Sequence, residues 1–341
     1  WGSWAGSSPH PSDRAPSPRP PPLGGGRLCF TRYPVLALLL TQNIGSLFII
    51  MLVGFVLVKV GMLDHSAGKP LSNLLLYVFF PCAIITSFEV EYSTDILVKL
   101  GLSFVAAAII QGLQLLLVKL SSKPLGLDPI ERCSAIYSNC GNLIIPLIIS
   151  TLGEEWVIYS LGFICVNTAL MFTHAKSVIS GVPTRDLRSI ILNPSIVSIT
   201  IGLVLFFSGW QLPSPVDAAA TGMAAMLGPT AMLVAGISIA CAPLRATFTD
   251  KRVWLVTFLR LVALSLISCL VLKAAAALCP ITDASMVLLI TMLAAVAPCA
   301  SFVVNFAVVY DKNDAYASAI NVVSTLCCII TMPLMLALYL L

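Results

Sequence analysis

Long apolar runs separated by short polar loops dominate this chain. Runs able to cross roughly 30 Å of hydrocarbon cover about Asn43–Val60, Leu71–Phe88, Ile96–Val118, Ile130–Leu152 and Trp156–His174 in the first half. The second half has Ile190–Trp210, Ala218–Ala242, Val253–Leu278, Ala284–Tyr310 and Ala315–Leu341. The pattern predicts an all-α membrane protein of ten transmembrane helices. Two spans carry breakers near their middle. SNCGNLIIPLIISTLG, Ser138 to Gly153, contains Gly141, Asn142 and Pro146; AAVAPCASFVVNFAVVYD, Ala294 to Asp311, contains Pro298 with Ser301 nearby. Proline removes a backbone donor and clashes with the preceding turn. In lipid such a break persists only where protein or a polar cavity covers it, and paired breaks in matching spans point to the binding site of a secondary transporter.

Ten spans divide into a first five-helix repeat (35–175), a linker (176–189) and a second five-helix repeat (190–341). An odd number of spans per repeat inverts the second relative to the first, so the broken helices 4 and 9 are expected to cross near the midplane. The halves echo one another weakly: FFPCAIITSF around Pro81 has its counterpart in GPTAMLVAGISIA around Pro229.

Charge orients the bundle. Lys59, Lys69, Lys119, Lys123, Arg132, Lys176, Arg185, Arg188, Arg245, Lys251, Arg252 and Lys312 fall in alternate inter-helix segments. The intervening segments hold Glu89, Glu91, Asp95, Glu154, Glu155, Asp217 and Asp283, with Lys99 and Lys273 as exceptions. Basic loops face the cytoplasm, which places the linker there and both bundle ends on the non-cytoplasmic side. Composition agrees with the membrane reading: 58% of residues are apolar, 10% are charged and mean hydropathy is +0.99, far from soluble averages. The net charge of +4 follows from the loop bias and implies no nucleic-acid partner.

Residues 1–34 stand apart. They hold eight of the 22 prolines and no apolar period, so a disordered tail is expected. It is read either as translated upstream or added sequence, or as an extracellular or regulatory tail.

One resemblance is specific. Asn139 stands seven residues before Pro146, which resembles the N-x6-P crossover of the PIN-FORMED and auxin efflux carrier family. Ala297-Pro298 with Tyr310 twelve residues further on is similar to that family's second crossover. ILNPSIVSITIGLVLF (Ile191–Phe206) resembles its sixth span, and STLCCIITMPL (Ser324–Leu334) its last. The similarity runs from Gln42 to Leu341. Val303 stands where plant members often carry a second proline, and the long hydrophilic central loop of plant carriers is absent. The chain therefore resembles a short, bacterial-type permease of that family, in a bacterial plasma membrane, and a substrate other than auxin is expected.

The chemistry of the breaks follows from helix ends. First-turn N–H groups lack internal partners and carry partial positive charge, so two restarting helices facing one cavity suit a small organic anion, above all a carboxylate. Ser138, Asn139 and Asn142 offer polar groups from the first break; Ser301 and Asn305 offer them from the second. Backbone repair is the competing role for each; the resemblance maps Asn139 onto a substrate-side asparagine. Asn73 and Tyr77, ahead of Pro81, are candidates for lining the cavity, against helix packing at a proline kink. Asn167, Asn321, Ser324 and Thr325 read as interhelical glue, and Arg260 as a snorkelling arginine.

No carboxylate lies at the centre of any span, which argues against cation coupling through a dedicated acid. Uniport, or proton coupling through the substrate carboxylate, fits better. The 11 scattered cysteines and three histidines form no disulfide framework and no metal site; no cofactor is expected. Partners are the substrate anion and the bilayer, with a homodimer left open. An intramembrane enzyme is the alternative class, but a serine type needs a membrane histidine and an aspartyl type two midplane aspartates. A membrane receptor or sensor is the third.

Overall fold

The computed structural model describes residues 29–90, 93–182, 191–192, 194–241 and 248–341. Those residues form helices and no named strand. In chain order the helices are α1 (Cys29–Lys59), α2 (Gly68–Ser87), α3 (Thr94–Leu125), α4 (Pro129–Ile136), α5 (Cys140–Thr151) and α6 (Glu154–Ser180). They continue as α7 (Pro194–Ser208), α8 (Ser214–Cys241) and α9 (Lys251–Leu278), α10 (Ala284–Val296), α11 (Ser301–Val309) and α12 (Asp314–Leu340). Six of them, α2, α3, α6, α8, α9 and α12, are long and apolar enough to cross a membrane. The apolar part of α1 (Gly45–Lys59), α5, α7 and α10 are shorter apolar helices.

Local chemistry sets the ends. Ser93 caps α3, its hydroxyl accepting from the Ile96 N–H at 3.2 Å, and Gly126 stops that helix in the left-handed region at φ 58°. Asp128 and Glu131 close a reciprocal capping box at the start of α4, with Pro129 in its first turn, where a missing N–H costs nothing. Wider π turns interrupt α2 at Leu75–Phe79, α6 at Met171–Ala175 and α9 at Leu259–Leu264.

Two groups of helices pack together. In one, α1 lies along α8, and the second half of α2 lies against α7 and the first part of α8. In the other, α3 packs on α6, α10 on α9, and α12 on α9 and α11. Backbone approach between α1 and α8 is close: a Cβ on Gly236 would sit 2.0 Å from the Met51 carbonyl oxygen, and one on Gly54 2.4 Å from that of Leu233. Small residues permit such contact where lipid offers no hydrophobic drive between helices. The two groups meet where Pro146 of α5 presses on Gly228 of α8 and the Phe80 ring of α2 covers Gly141.

The cations that broke the loop rule have partners. Lys99 Nζ lies 2.6 Å from Asp95 and 3.0 Å from Asp283, and Lys273 Nζ donates to the Leu338 carbonyl at 3.0 Å. Toward the opposite bundle end, buried Glu131 accepts from Arg252 Nε at 2.8 Å and from the Tyr316 hydroxyl at 2.7 Å.

Two expected boundaries shift. Helix α1 begins at Cys29, inside the stretch expected to be a disordered tail; an apolar run from Val35 onward lets the helix extend back across Pro34 into its first turns. Residues 1–28 lie outside the described residues. The expected linker begins at 176, yet Lys176–Ser180 is helical; residues 183–189 lie outside the described residues.

Candidate substrate site at the helix crossover

Between α4 and α5, and again between α10 and α11, the chain leaves the helix for a few extended residues. The two extended pieces run antiparallel, with Ser138 opposite Cys299. The Asn139 N–H donates to the Pro298 carbonyl at 2.8 Å, and the Ala300 N–H donates to the Tyr137 carbonyl at 3.0 Å. Each break thus supplies hydrogen bonds the other has lost, which answers the requirement that buried backbone be paired in lipid.

Side chains from neighbouring helices complete the repair. Asn167 of α6 uses both ends of its amide: Nδ2 donates to the Ser138 carbonyl at 3.2 Å, and Oδ1 accepts from the Ser138 N–H at 3.4 Å. In the second break two residues of α12 share the task. Asn321 Nδ2 donates to the Cys299 carbonyl at 2.8 Å, and the Ser324 hydroxyl accepts from the Cys299 N–H at 3.2 Å. The Tyr137 hydroxyl lies 2.8 Å from Nδ1 of His174.

Arg260 corrects the expectation of snorkelling. Its side chain is fully buried and aimed at the crossover from the π turn of α9, whose freed Arg260 carbonyl accepts from the Ser265 hydroxyl at 2.8 Å. The guanidinium donates to the carbonyls of Ala135, Ile136, Ala295 and Ala297 at 2.7–3.3 Å. Those carbonyls end α4 and α10, the negative ends of two helix dipoles. Guanidinium geometry, with five donors in a plane, suits the arrangement.

The breakers also shift role. The first break falls at Tyr137–Asn139 and α5 restarts at Cys140, not near Pro146. Pro146 lies inside α5 against Gly228, and Gly141 gives room to the Phe80 ring. Both are packing residues between the two helix groups, because the break is set by the backbone exchange upstream of them. Pro298 does lie within the second break.

A cavity of about 180 Å³ opens beside the breaks. It brings together Asn139 and Asn142 from the first break and Pro298, Ser301 and Asn305 from the second. Asn321 and Thr325 of α12 also face it, as do Ser72, Ser238 and Ser318, which sequence reasoning passed over. Among the described residues no charged side chain lines it. Ser138 lies instead on a separate space of about 30 Å³ with Asn167 and Thr168. Asn73 and Tyr77 do not reach the cavity; both are exposed on the outer face of α2. From the same helix Ser72 and Leu75 line it, on the side opposite to that pair.

Apolar spanning helices, with a cavity beside two interrupted ones, define a multi-pass integral membrane protein. The chain matches the family model described as "Membrane transport protein" twice, over residues 39–184 and 176–336. It belongs to that family of membrane transporters, which contains the auxin efflux carriers. Among curated proteins none matches the chain.

Proposed function

We propose that this protein is a secondary carrier of a small organic anion, a carboxylate by preference, working by alternating access around the crossover. In this reading α4 with α5 and α10 with α11 are the fourth and ninth of ten spans in two inverted repeats, and the membrane is a bacterial plasma membrane. The observation that carries it is the cavity itself. Amide and hydroxyl groups of Asn139, Asn142 and Ser301 meet there at the starts of α5 and α11, where helix ends favour negative charge, and Asn305 joins them from the second turn of α11.

Size narrows the substrate. A cavity of about 180 Å³ is smaller than the roughly 300–1,000 Å³ typical of sites for drug-sized ligands, so compact carboxylates fit better than extended aromatic ones. Of its exposed lining residues, Ser238 lies in the last turn of α8 and Asn305 midway along α11; both helices lead into basic segments. By the charge rule this conformation is open to the cytoplasm.

Uptake into proteoliposomes tests the reading, with a panel of small carboxylates and their neutral amides, under imposed proton or sodium gradients. Saturable uptake of at least one carboxylate over its amide is expected. Equal transport of the amides, or uptake of none of the panel, would contradict it.

A further inference from the structure

Among the described residues two cations are buried, Lys99 and Arg260, and Arg252 reaches in from the edge to a buried carboxylate. Lys99 and Arg252 each have carboxylates. Arg260, the most buried of them, has only carbonyl oxygens.

We propose that Arg260 is a built-in cation of the crossover, filling a carbonyl site at which a coupling ion such as sodium would otherwise bind. In carriers built on broken helices, the C-terminal ends of half-helices and unwound carbonyls coordinate the coupling ion. Here the corresponding groups converge on the guanidinium. Ala135 and Ile136 close α4, while Ala295 and Ala297 close α10 and enter its break. These oxygens come from both halves of the chain, so the guanidinium also joins the two broken helices. It occupies the oxygens that a monovalent cation would need.

The fixed charge lies directly behind the cavity. Ala297 is adjacent to Pro298, and Ile136 is three residues before Asn139; both Pro298 and Asn139 line the cavity. A positive charge without a carboxylate partner, in a medium of low dielectric, favours an anion in front of it. Arg260 is therefore a positioning residue: it does not line the cavity, and it acts through the field and through the two helix ends it holds. The consequence is sodium-independent binding, since the cation site is already occupied.

The role in balancing a substrate anion rests on the carrier reading above; the presence of a cation site does not. Thermal unfolding of the purified full chain tests that site without knowledge of the substrate. Wild type, R260A, R260Q and R260K are compared in choline chloride, with sodium or guanidinium replacing choline at constant ionic strength. Wild type and R260K, which keep the charge, are expected to melt alike in all three salts. R260A and R260Q, which lack it, are expected to melt lower and to regain about 3 °C or more in guanidinium or sodium, through binding to the native state alone. R260Q retains an amide donor for the carbonyls, so it serves if R260A does not fold. A sodium-specific rise in wild type, or the absence of any rise in the neutral variants, would overturn the proposal. A rise in those variants together with failed carboxylate uptake would leave the cation site standing and refute the carrier reading alone.

Discussion

The two breaks reach one geometry with different residues. The first has no proline in it; a single amide, Asn167, holds both backbone groups of Ser138. The second contains Pro298 and divides the same work between Asn321 and Ser324 on Cys299. What they share is the exchange of backbone hydrogen bonds across Ser138 and Cys299. A helix interruption in lipid thus depends less on the breaker residue than on what pairs with the freed backbone.

The symmetry extends to the outer ends of the broken helices. Arg252, near the start of α9, holds Glu131 in the first turn of α4. Lys99, near the start of α3, holds Asp283, the residue before α10. Each broken helix is therefore tied by a cation from the other half of the chain. The ties differ in burial: the Glu131 side chain is 2% exposed, while Asp283 is 28% and Asp95 59% exposed.

That difference gives the largest expected effect. Arg252→Met leaves a buried carboxylate without its cation, held only by the Tyr316 hydroxyl and the Asp128 N–H, and should cost about 3–5 kcal/mol. Lys99→Met leaves two partly hydrated carboxylates and should cost about 1 kcal/mol or less. Thermal unfolding of both variants in one detergent measures the gap; equal losses would mean that the two ends are not held as described.

The next effect compares the breaks themselves. Asn167→Leu removes both partners of Ser138, at roughly 1–3 kcal/mol for each buried group left unpaired. Asn321→Leu removes one partner, since Ser324 still accepts from the Cys299 N–H, and should cost about half as much. Amide exchange at Ser138 and Cys299 locates the loss, with faster exchange expected at Ser138 in Asn167→Leu. A larger loss in Asn321→Leu would reverse the assignment.

The smallest effects are expected at the prolines. Because the backbone exchange holds the breaks, Pro298→Ala should leave the interruption in place. Pro146→Ala should only loosen the contact with Gly228. Each should cost about 1 kcal/mol or less, within the range of ordinary single substitutions, and leave uptake within a few-fold of wild type. Loss of uptake in Pro146→Ala without loss of stability would restore the proline to the crossover.

Much of this was legible in the sequence, and the failures have physical causes. Apolar runs place most helix starts to within a few residues, because hydrocarbon thickness limits length; α1 instead begins at Cys29, and α3 and α6 run on to Leu125 and Ser180, past the apolar runs. Asn139, Asn142, Ser301 and Asn305 are expected near the breaks because polar groups are costly in lipid unless used, and all four line the cavity. The position of the first break was misread, since a proline is visible in sequence whereas a bond between residues 139 and 298 is not. Arg260 was misread for the same reason: its four partners lie far along the chain. Asn73 and Tyr77 are four residues apart and share a face of α2, but the opposite face, with Ser72 and Leu75, meets the cavity. Nothing local distinguishes the two faces, because both carry polar residues.

In the proposed carrier, amides at the crossover, and not charged side chains, hold the anion. The most direct measurement is the affinity of purified Asn139→Ala and Asn305→Ala for whichever carboxylate the uptake panel selects, taken with their melting temperatures. Loss of a hydrogen bond to a charged group is worth about 1.5–3 kcal/mol, or about ten- to a hundredfold in affinity. Such a loss is expected in both variants with melting temperatures close to wild type. Unchanged affinity in both, with lower melting temperatures, would show that these asparagines repair backbone and that the anion binds elsewhere.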